Sequence, residues 1–307
     1  MKLSKYHLAV LALIATNIIW GASSPIFKWA LTEIPPFSFA FIRFVLACLI
    51  LLPFTLHKLQ IDRRDLPKLA ILSFFGFFLH ISLLLFGLTL TASINAPIIA
   101  SSAPVFLLIG SAVFLKEKIK SKTIYGTTVS LIGVILIILR PLIEEGLGVS
   151  IIGNILLLIG TIAFVIYTIL LKEYNLRYSS ATLTFWLFAI TALIYFPFFL
   201  WESAGTNIMI TLNFKAVIGV LFGALLTSVV GYVFYNFAIK KVHASETGVF
   251  LYIDPIVTVM VALPLLGEEL TPSFLLGSLL VFLGIFIAEN RLHYHPLYLF
   301  KKTLRLE

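Results

Sequence analysis

Long apolar stretches separated by short polar segments make up almost the whole chain. A helix needs about 20 consecutive apolar residues to cross a bilayer, and the sequence divides into ten such runs. We call these runs spans 1 to 10 and place them at 8–30, 36–57, 67–90, 92–115, 122–140, 148–171, 180–201, 215–239, 243–266 and 272–290. The pattern therefore predicts an all-α integral membrane protein with ten transmembrane helices.

The joint between spans 3 and 4 carries the weakest polar signal. Charged residues mark other joints, such as the one at 62–65, but only Thr91, Ala92 and Ser93 separate spans 3 and 4. Without that break, a single apolar run would cover 67–115, which is far longer than one crossing requires. We therefore expect two helices there.

The second half of the chain repeats landmarks of the first half. Five positions recur 151 residues later in the same order, namely Pro104 at Pro255, Glu117 at Glu268, Gly126 at Gly277, Gly133 at Gly284 and Arg140 at Arg291. Earlier in the unit the offset is 144, which carries Lys28 onto Lys172. Each copy holds five spans, an odd number, so the copies must be inverted relative to each other, an arrangement typical of transporters. We place the repeats at 8–140 and 148–290, followed by a basic cytoplasmic tail at 291–307.

The composition excludes most soluble functions. The chain is 60% hydrophobic and only 12% charged, whereas soluble domains carry about 25% charged residues. The single cysteine, Cys48, lies in an apolar run, so neither a disulfide framework nor a cysteine-based metal site is available. No Walker A, HExxH or GxSxG motif occurs in the sequence. We therefore expect no cofactor, no metal and no catalytic residue.

The formal net charge of +8 reflects an uneven distribution of Lys and Arg across the membrane. With a cytoplasmic N-terminus, 18 of the 22 basic residues fall in cytoplasmic segments, Arg43 falls within span 2, and only Lys28, Arg140 and Lys215 are external. Basic residues favour the cytoplasmic side, so we expect both termini to be cytoplasmic in the cell membrane. No basic stretch has the pattern of a nucleic-acid site.

Several landmarks resemble EamA-type members of the drug/metabolite transporter superfamily. Span 1 carries Trp20 and Gly21 followed by small residues and Lys28, and span 2 has an arginine followed by apolar residues at 43–47. Each repeat then shows a mid-span proline, a span-end glutamate and a span with two glycines. The resemblance covers roughly 8–290, and its order and duplication are more specific than any single motif.

The resemblance implies two inverted five-helix repeats and alternating access around a central cavity lined mainly by spans 1, 3, 4, 6, 8 and 9. Members of this superfamily move small metabolites such as amino acids, their derivatives and drugs, commonly outward. We therefore expect a secondary-active exporter in the lipid bilayer, monomeric or homodimeric, with protons as a candidate coupling ion.

Two other functions stay open. An organic-anion, nucleotide-sugar or sugar-phosphate exchanger of the same superfamily needs several deep basic residues, and here only Arg43 is deep. An intramembrane enzyme needs a nucleophile–base pair or a metal constellation, and His80 has no partner nearby in the sequence. A channel does not readily explain the inverted duplication.

Four ionisable side chains fall inside the predicted spans, where burial of a charge is costly. Asp254 lies at the centre of span 9 beside Pro255, and Glu246 lies eight residues earlier. Arg43 lies in the outer half of span 2, and His80 lies near the centre of span 3. These four residues are candidates for the substrate or ion pathway.

Each of the four also has a structural interpretation. Asp254 could exchange a proton or bind a cationic group, or it could stay protonated and only tie span 9 to a neighbouring helix. Glu246 could reach the inner interface near Lys240. Arg43 matches a position of the family that the chain resembles, which favours a structural or gating contact. His80 could be a packing histidine.

Two prolines and one polar stripe complete the candidate pathway. Pro104 and Pro255 are predicted to kink spans 4 and 9 near the midplane, because each proline removes a backbone hydrogen bond. One face of span 1 carries small or polar residues at the helical period, namely Asn17, Gly21, Ser24 and Lys28. We count Asn17 and Ser24 as pathway candidates, although such a stripe is also typical of a packing seam. We assign no aromatic cage.

Overall fold

The computed structural model describes residues 5–103, 105–106, 121–144, 148–174, 178–205, 213–239, 241, 250 and 252–289. Within these ranges every regular element is helical, and no strand occurs. Seven of the described helices are long and apolar enough to cross a membrane, and two shorter apolar helices cover Ile253–Leu266 and Pro272–Ile287. The predicted all-α membrane fold is confirmed.

The helices follow the predicted spans closely. Spans 1, 2, 5, 6, 7, 9 and 10 contain the helices Lys5–Ala30, Pro36–Thr55, Ser121–Glu144, Val149–Glu173, Ser180–Gly205, Ile253–Leu266 and Pro272–Glu289. Span 3 is divided into Leu66–Ser73, Phe74–Leu79 and His80–Leu90, and span 8 into Phe214–Leu221, Phe222–Tyr232 and Val233–Ala238. The described helix of span 4 is Asn95–Ala100. Two short 3₁₀ helices, Leu56–Lys58 and Arg63–Asp65, connect spans 2 and 3.

The joint between spans 3 and 4 is a break in the helix, as the sequence predicted. Span 3 ends at Leu90, and Thr91 is extended with φ −138° and ψ 173°. The Oδ1 atom of Asn154 in span 6 accepts hydrogen bonds from Thr91 Oγ1 at 2.9 Å and from Asn95 Nδ2 at 3.0 Å. An amide from a distant helix therefore stabilises the break.

Contacts between the two halves follow a repeated pattern. Span 1 packs against spans 8 and 9, and its counterpart, span 6, packs against spans 3 and 4. Span 2 packs against its counterpart, span 7, and span 5 packs against its counterpart, span 10. Each of these contacts thus has an equivalent in the other repeat, as inverted repeats require.

Spans 5 and 10 meet through glycines at equivalent positions of the two repeats. A Cβ atom on Gly133 would lie 2.6 Å from the backbone nitrogen of Val281 and 2.7 Å from the carbonyl oxygen of Gly277. A Cβ atom on Gly284 would lie 2.5 Å from the carbonyl oxygen of Gly126. Real Cβ atoms essentially never come closer than 3.0 Å to such atoms, so this backbone-to-backbone contact requires glycine.

Spans 3 and 8, the third spans of their repeats, each contain a π-helical segment, Phe74–Leu79 and Phe222–Tyr232. Segments of this kind are rare and frequently occur at functional sites. Aromatic side chains donate hydrogen bonds to carbonyls of both segments, Tyr195 to the first at 3.0 Å and Trp20 to the second at 3.3 Å. The two segments are therefore candidate positions for a functional site.

Candidate functional site

Asp254 lies in the first turn of the described helix of span 9. The helix Ile253–Leu266 begins one residue before Asp254, and Pro255 occupies its third position. Proline is tolerated in a first turn because its missing N–H has no partner there. Phe250, before the turn residue Tyr252, is also helical, so span 9 is interrupted just before Pro255, and the kink expected at Pro255 stays a prediction. At a rise of about 1.5 Å per residue, Asp254 lies roughly 20 Å from the far end of this helix.

The Asp254 carboxyl group is buried, and one of its oxygens has no hydrogen-bond partner among the described residues. The residue is only 9% exposed, and the unpaired oxygen is Oδ1. None of the ion pairs between described residues involves Asp254. An ionised carboxylate in such a place would be costly. The environment therefore favours either the protonated form or a cationic partner.

Span 1 approaches Asp254 most closely at Gly21. A Cβ atom on Gly21 would lie 2.6 Å from the carbonyl oxygen of Asp254. Thr258, one turn further along span 9, donates hydrogen bonds to Gly21 O at 2.6 Å and to Asp254 O at 2.9 Å. The polar stripe of span 1 is thus a packing seam with span 9 at this point.

Asn17 and Ser24, the two pathway candidates of span 1, are buried on either side of Gly21. Asn17 Nδ2 donates a hydrogen bond to Leu13 O at 2.7 Å, and its Oδ1 atom has no partner in the described part of the chain. By helical spacing both residues share the face of Gly21. The stripe therefore leaves an unsatisfied polar atom about one helical turn from the Asp254 contact.

Spans 4 and 9 are interrupted at equivalent positions. The helix Asn95–Ala100 of span 4 ends in a turn at Ser101 and Ser102. Ser101 lies 151 residues before Tyr252, the turn residue that precedes the described helix of span 9. Discontinuous helices at matching positions of inverted repeats are typical of substrate and ion sites in transporters.

The far end of span 9 is held by Glu268. Its carboxylate accepts hydrogen bonds from Lys28 Nζ at 3.0 Å, Ser93 N at 2.7 Å, Ser93 Oγ at 3.0 Å and Ile94 N at 3.1 Å. Lys28 Nζ also donates to Thr91 O at 2.9 Å. We call Lys28, Ser93, Ile94 and Glu268 the Glu268 latch. It connects span 1, the joint of spans 3 and 4, and the joint of spans 9 and 10.

A glycine places Glu268 in the latch. Gly267 ends the helix of span 9 in the left-handed region, with φ 65° and ψ 24°, where a side chain would be strained. The Glu268 side chain that follows is only 9% exposed. Sequence reasoning marked Lys28 and Glu268 as landmarks of the repeat, but it did not pair them.

Arg43 is fully buried, at 0% exposure, in span 2. Its Nε atom donates a hydrogen bond to Ser228 Oγ at 2.8 Å, within the π-helical segment of span 8. Its guanidinium carbon lies 4.9 Å from the centroid of the Phe27 ring and 5.1 Å from that of the Phe44 ring. Both Nη atoms are buried without a hydrogen-bond partner in the described residues. Arg43 thus connects spans 1, 2 and 8 while two of its three nitrogens stay unpaired.

His80 is half-buried in span 3, directly after the π-helical segment. Its Nδ1 atom lies 2.9 Å from the carbonyl oxygen of Gly160 in span 6. A carbonyl oxygen can only accept, so Nδ1 carries the proton, and Nε2 of the neutral ring is an acceptor. His80 therefore packs against span 6 and still offers one ring nitrogen.

Aromatic rings from spans 1, 6 and 8 meet beside His80. The Trp20 ring centroid lies 4.9 Å from Tyr232, 5.2 Å from Tyr235 and 5.9 Å from Phe164, and the His80 ring lies 5.0 Å from Phe164. We call these five residues the aromatic centre. Trp20 and Phe164 are separated by 144 residues, the offset of this part of the repeat. This shared repeat position of Trp20 and Phe164 could have indicated the aromatic centre, which we did not predict from the sequence.

Two predicted site residues, Glu246 and Pro104, lie outside the described residues. The described structure therefore brings together Asn17, Ser24 and Asp254 along the seam of spans 1 and 9, and it places His80 and Arg43 at other contacts. Among the described residues, no group of three or more His, Cys, Asp or Glu side chains could hold a metal ion.

Proteins similar to this chain match it over most of their length. The EamA-like transporter family matches the chain twice, at residues 7–139 and 151–289. An uncharacterized transporter of Archaeoglobus fulgidus is 30% identical over 284 residues, which cover 92% of this chain and 98% of the relative. The uncharacterized transporter YyaM of Bacillus subtilis is 29% identical over 294 residues, which cover 92% of this chain and 94% of the relative.

A solved structure shares the fold. Described only as the crystal structure of a protein, it matches with a TM-score of 0.65 and 16% sequence identity. The match covers 93% of this chain and 99% of the other. At this identity the likeness concerns the helical architecture alone.

Proposed function

This chain belongs to the EamA-like transporter family, and from that membership we propose that it is a secondary-active exporter of small metabolites or amino-acid-like compounds. Its relatives are named transporters and match over nearly their full lengths, which supports transport over catalysis. We place it in the cell membrane with both termini cytoplasmic, because 18 basic residues then face the cytoplasm and three face outward.

The buried carboxyl group of Asp254 carries the proposal of a coupled mechanism. Asp254 is 9% exposed, and its Oδ1 atom has no hydrogen-bond partner in the part of the chain that the structure describes. A purely structural carboxyl would be expected to use both oxygens in hydrogen bonds to its neighbours. The unpaired atom at a helix start instead suits a group that binds and releases a proton or a cationic group of the solute.

Protonation can be tied to access from either side. In the dry arrangement described here, the neutral carboxyl is favoured because an isolated buried charge is costly. When the seam of spans 1 and 9 opens to water, the carboxylate becomes hydrated and the proton can leave. One proton would then cross with each cycle of opening and closing, which couples a pH gradient to solute movement.

The Glu268 latch supports a structure closed at one face. Its Glu268 carboxylate joins three separate segments through four hydrogen bonds at 2.7–3.1 Å. Charge-assisted hydrogen bonds of this kind are stronger than neutral ones. Alternating access requires these bonds to break when that face opens, and the charge pattern makes it the external face.

The aromatic centre is the proposed solute site. It lies where spans 1, 3, 6 and 8 meet, and two of these spans carry the π-helical segments. Its rings offer apolar faces, while the Nε2 atom of His80 offers a hydrogen-bond acceptor. Ligand sites are commonly built in this way, from apolar surface with a few polar groups.

Transport from proteoliposomes tests this function. Vesicles holding the purified protein are loaded with a mixture of amino acids and other metabolites, and efflux is followed by mass spectrometry with and without a pH gradient. We expect the wild type to release a subset of solutes and the gradient to change the rate. Asp254→Asn should remove the gradient dependence, because asparagine keeps the size and hydrogen bonding but cannot titrate.

Glu269→Gln is the matched control, because Glu269 is an exposed carboxylate near the end of the same span. It should behave as the wild type. If Asp254→Asn protein transports with an unchanged rate and pH dependence, Asp254 is a structural, permanently protonated residue. If the wild type releases no solute faster than protein-free vesicles, the transport proposal itself is wrong.

A further inference from the structure

The guanidinium of Arg43 is buried and has no acidic partner among the described residues, and we infer that it receives a carboxylate group of the transported solute. This inference rests on the proposed transport function and specifies its substrate class. It gives Arg43 a binding role beyond its contact with span 8. The solute would be a monocarboxylate whose remaining part is apolar or aromatic.

The hydrogen-bonding edges of Arg43 are only partly used. Nε donates to Ser228 Oγ at 2.8 Å, which fixes one edge of the planar group. Nη1 and Nη2 are both buried and lack a partner in the described residues. The pair forms the terminal fork of the guanidinium, and such a fork binds a carboxylate through two parallel hydrogen bonds.

The aromatic neighbours do not satisfy this fork. The rings of Phe27 and Phe44, with centroids 4.9 and 5.1 Å from the guanidinium carbon, attract its charge through cation–π contacts. A benzene ring offers no acceptor that could satisfy four N–H groups in the guanidinium plane. Arg43 takes part in no ion pair with a described Asp or Glu. The site is therefore pre-organised for a planar anion that the described residues do not supply.

The position of Arg43 suits a solute held in the aromatic centre. The Phe44 ring beside the guanidinium lies 6.0 Å from the Phe77 ring, and Phe77 lies 4.8 Å from Tyr232, a member of that centre. Tyr232 in turn packs against Trp20 at 4.9 Å. A carboxylate on Arg43 would thus leave the apolar part of the solute against these rings.

The charge of the site selects among anions. A single guanidinium balances one negative charge, so it matches a carboxylate better than a doubly charged phosphate ester. Lysine could not replace it, because an ammonium group is a compact point charge without the planar fork. This distinguishes the inferred substrates from sugar phosphates and nucleotide sugars.

The first experiment measures stability without any solute. Arg43→Met replaces the charge with an apolar chain of similar length. If Arg43 serves to bind an anion, the purified variant should melt at the temperature of the wild type or above it, since replacing a buried charge that lacks an acidic partner removes a desolvation penalty. A large fall in the melting temperature of both Arg43→Met and Arg43→Lys would show a structural role and overturn the inference.

The second experiment uses acetate and benzoate as probes. Thermal unfolding of the purified protein is measured with each acid and with its neutral amide, acetamide for acetate and benzamide for benzoate, at equal ionic strength. The carboxylates should raise the melting temperature of the wild type in a saturable manner, and the amides should not. The shift should disappear in Arg43→Met and remain in Arg140→Met, in which a second largely buried arginine, lying over Phe274, is changed.

Equal effects of acids and amides, or an acid effect that survives in Arg43→Met, would overturn the inference. Transport then separates it from the proposed function. Vesicles with the wild-type protein should release phenylalanine and phenylpropionate. Their release of phenylalaninamide and phenethylamine, which lack the carboxylate, should be slower by at least about tenfold. If the amide and the amine are released as fast as the acids, the protein is a transporter but Arg43 does not bind a carboxylate of the solute. The stability comparisons hold even if no solute is carried.

Discussion

Lys28 Nζ lies 3.0 Å from Glu268 Oε1, and this ion pair joins the end of span 1 to the joint of spans 9 and 10 across 240 residues of sequence. The same carboxylate binds two backbone N–H groups, at Ser93 and Ile94. One side chain therefore holds three segments that belong to both repeats. Its removal is therefore expected to weaken the contact among these three segments.

Glu268→Gln should increase the access of water to the seam of spans 1 and 9. Hydrogen bonds to a charged group contribute about 1.5–3 kcal/mol each, so loss of the charge should raise the open population at least about tenfold. The measurement is the labelling rate of Ser24→Cys by an impermeant maleimide, in a Cys48→Ala background. Glu269→Gln, at an exposed position, serves as the control. An unchanged rate would mean that the latch does not close this face.

Gly21→Ala should disturb the crossing of spans 1 and 9. The added Cβ atom would lie 2.6 Å from Asp254 O, so the helices must separate, and overpacking of this kind costs about 1–3 kcal/mol. The matched control is Gly160→Ala, where the nearest atoms would lie 3.3 Å away. Melting in detergent should show a clear loss for Gly21→Ala and a smaller one for Gly160→Ala. Equal falls in melting temperature for the two variants would show that spans 1 and 9 are not closely packed at Gly21.

Tyr178, between spans 6 and 7, fastens the joint of spans 2 and 3. Its hydroxyl donates to Asp65 Oδ2 at 2.7 Å and accepts from Asp62 N at 3.0 Å. Tyr178→Phe should lower the melting temperature by roughly 1–2 °C, the effect of one or two partly exposed hydrogen bonds. Tyr174→Phe is the control, because no hydrogen bond of its hydroxyl is seen among the described residues.

The pH dependence of this contact has a defined sign. Burial, followed by the hydrogen bond to Asp65, raises the pKa of Tyr178 above its ordinary value of 10.0. A folded-state pKa above the unfolded one means that the stabilisation is complete below pH 10.0 and is lost as pH rises through the folded-state pKa. The difference in melting temperature between wild type and Tyr178→Phe should be constant near neutral pH and shrink in strong alkali. A difference that grew as pH rose above neutrality would contradict this assignment.

The orientation is tested by cysteine labelling. Single cysteines in the 144–147 and 203–211 joints should react with an impermeant reagent from outside, and those at 118–122 only after permeabilisation. The reason is the 18-to-3 distribution of basic residues. The reverse pattern would overturn both the orientation and the repeat assignment.

The spans were predictable because they depend on local hydrophobicity and period. The face of span 1 that carries Gly21 could likewise be read from the helical period, and the structure places it against span 9. Pro255 drew attention to span 9, but a proline alone does not show that the irregular residue is Tyr252, three positions before it. The aromatic centre was also missed, since abundant Phe and Tyr residues mask the few that meet.

Long-range pairs could not be predicted from one sequence. Ser228 lies 185 residues from Arg43, and nothing in either segment indicates the other. The π-helical segments also lack a composition that separates them from ordinary membrane helix. Their position follows from tertiary packing around Tyr195 and Trp20, which donate hydrogen bonds to carbonyl oxygens of these segments.

The glycine contact of spans 5 and 10 has the geometry of a symmetric homodimer interface. Gly133 faces Gly277, the counterpart of Gly126, and Gly284, the counterpart of Gly133, faces Gly126. Such a reciprocal contact is isologous, so the surface of one repeat is complementary to itself. A five-span half inserted in both orientations would pair through the same glycines. Expressing 1–147 and 148–307 as separate chains and testing whether they co-purify would show whether fusion is needed to hold the halves together.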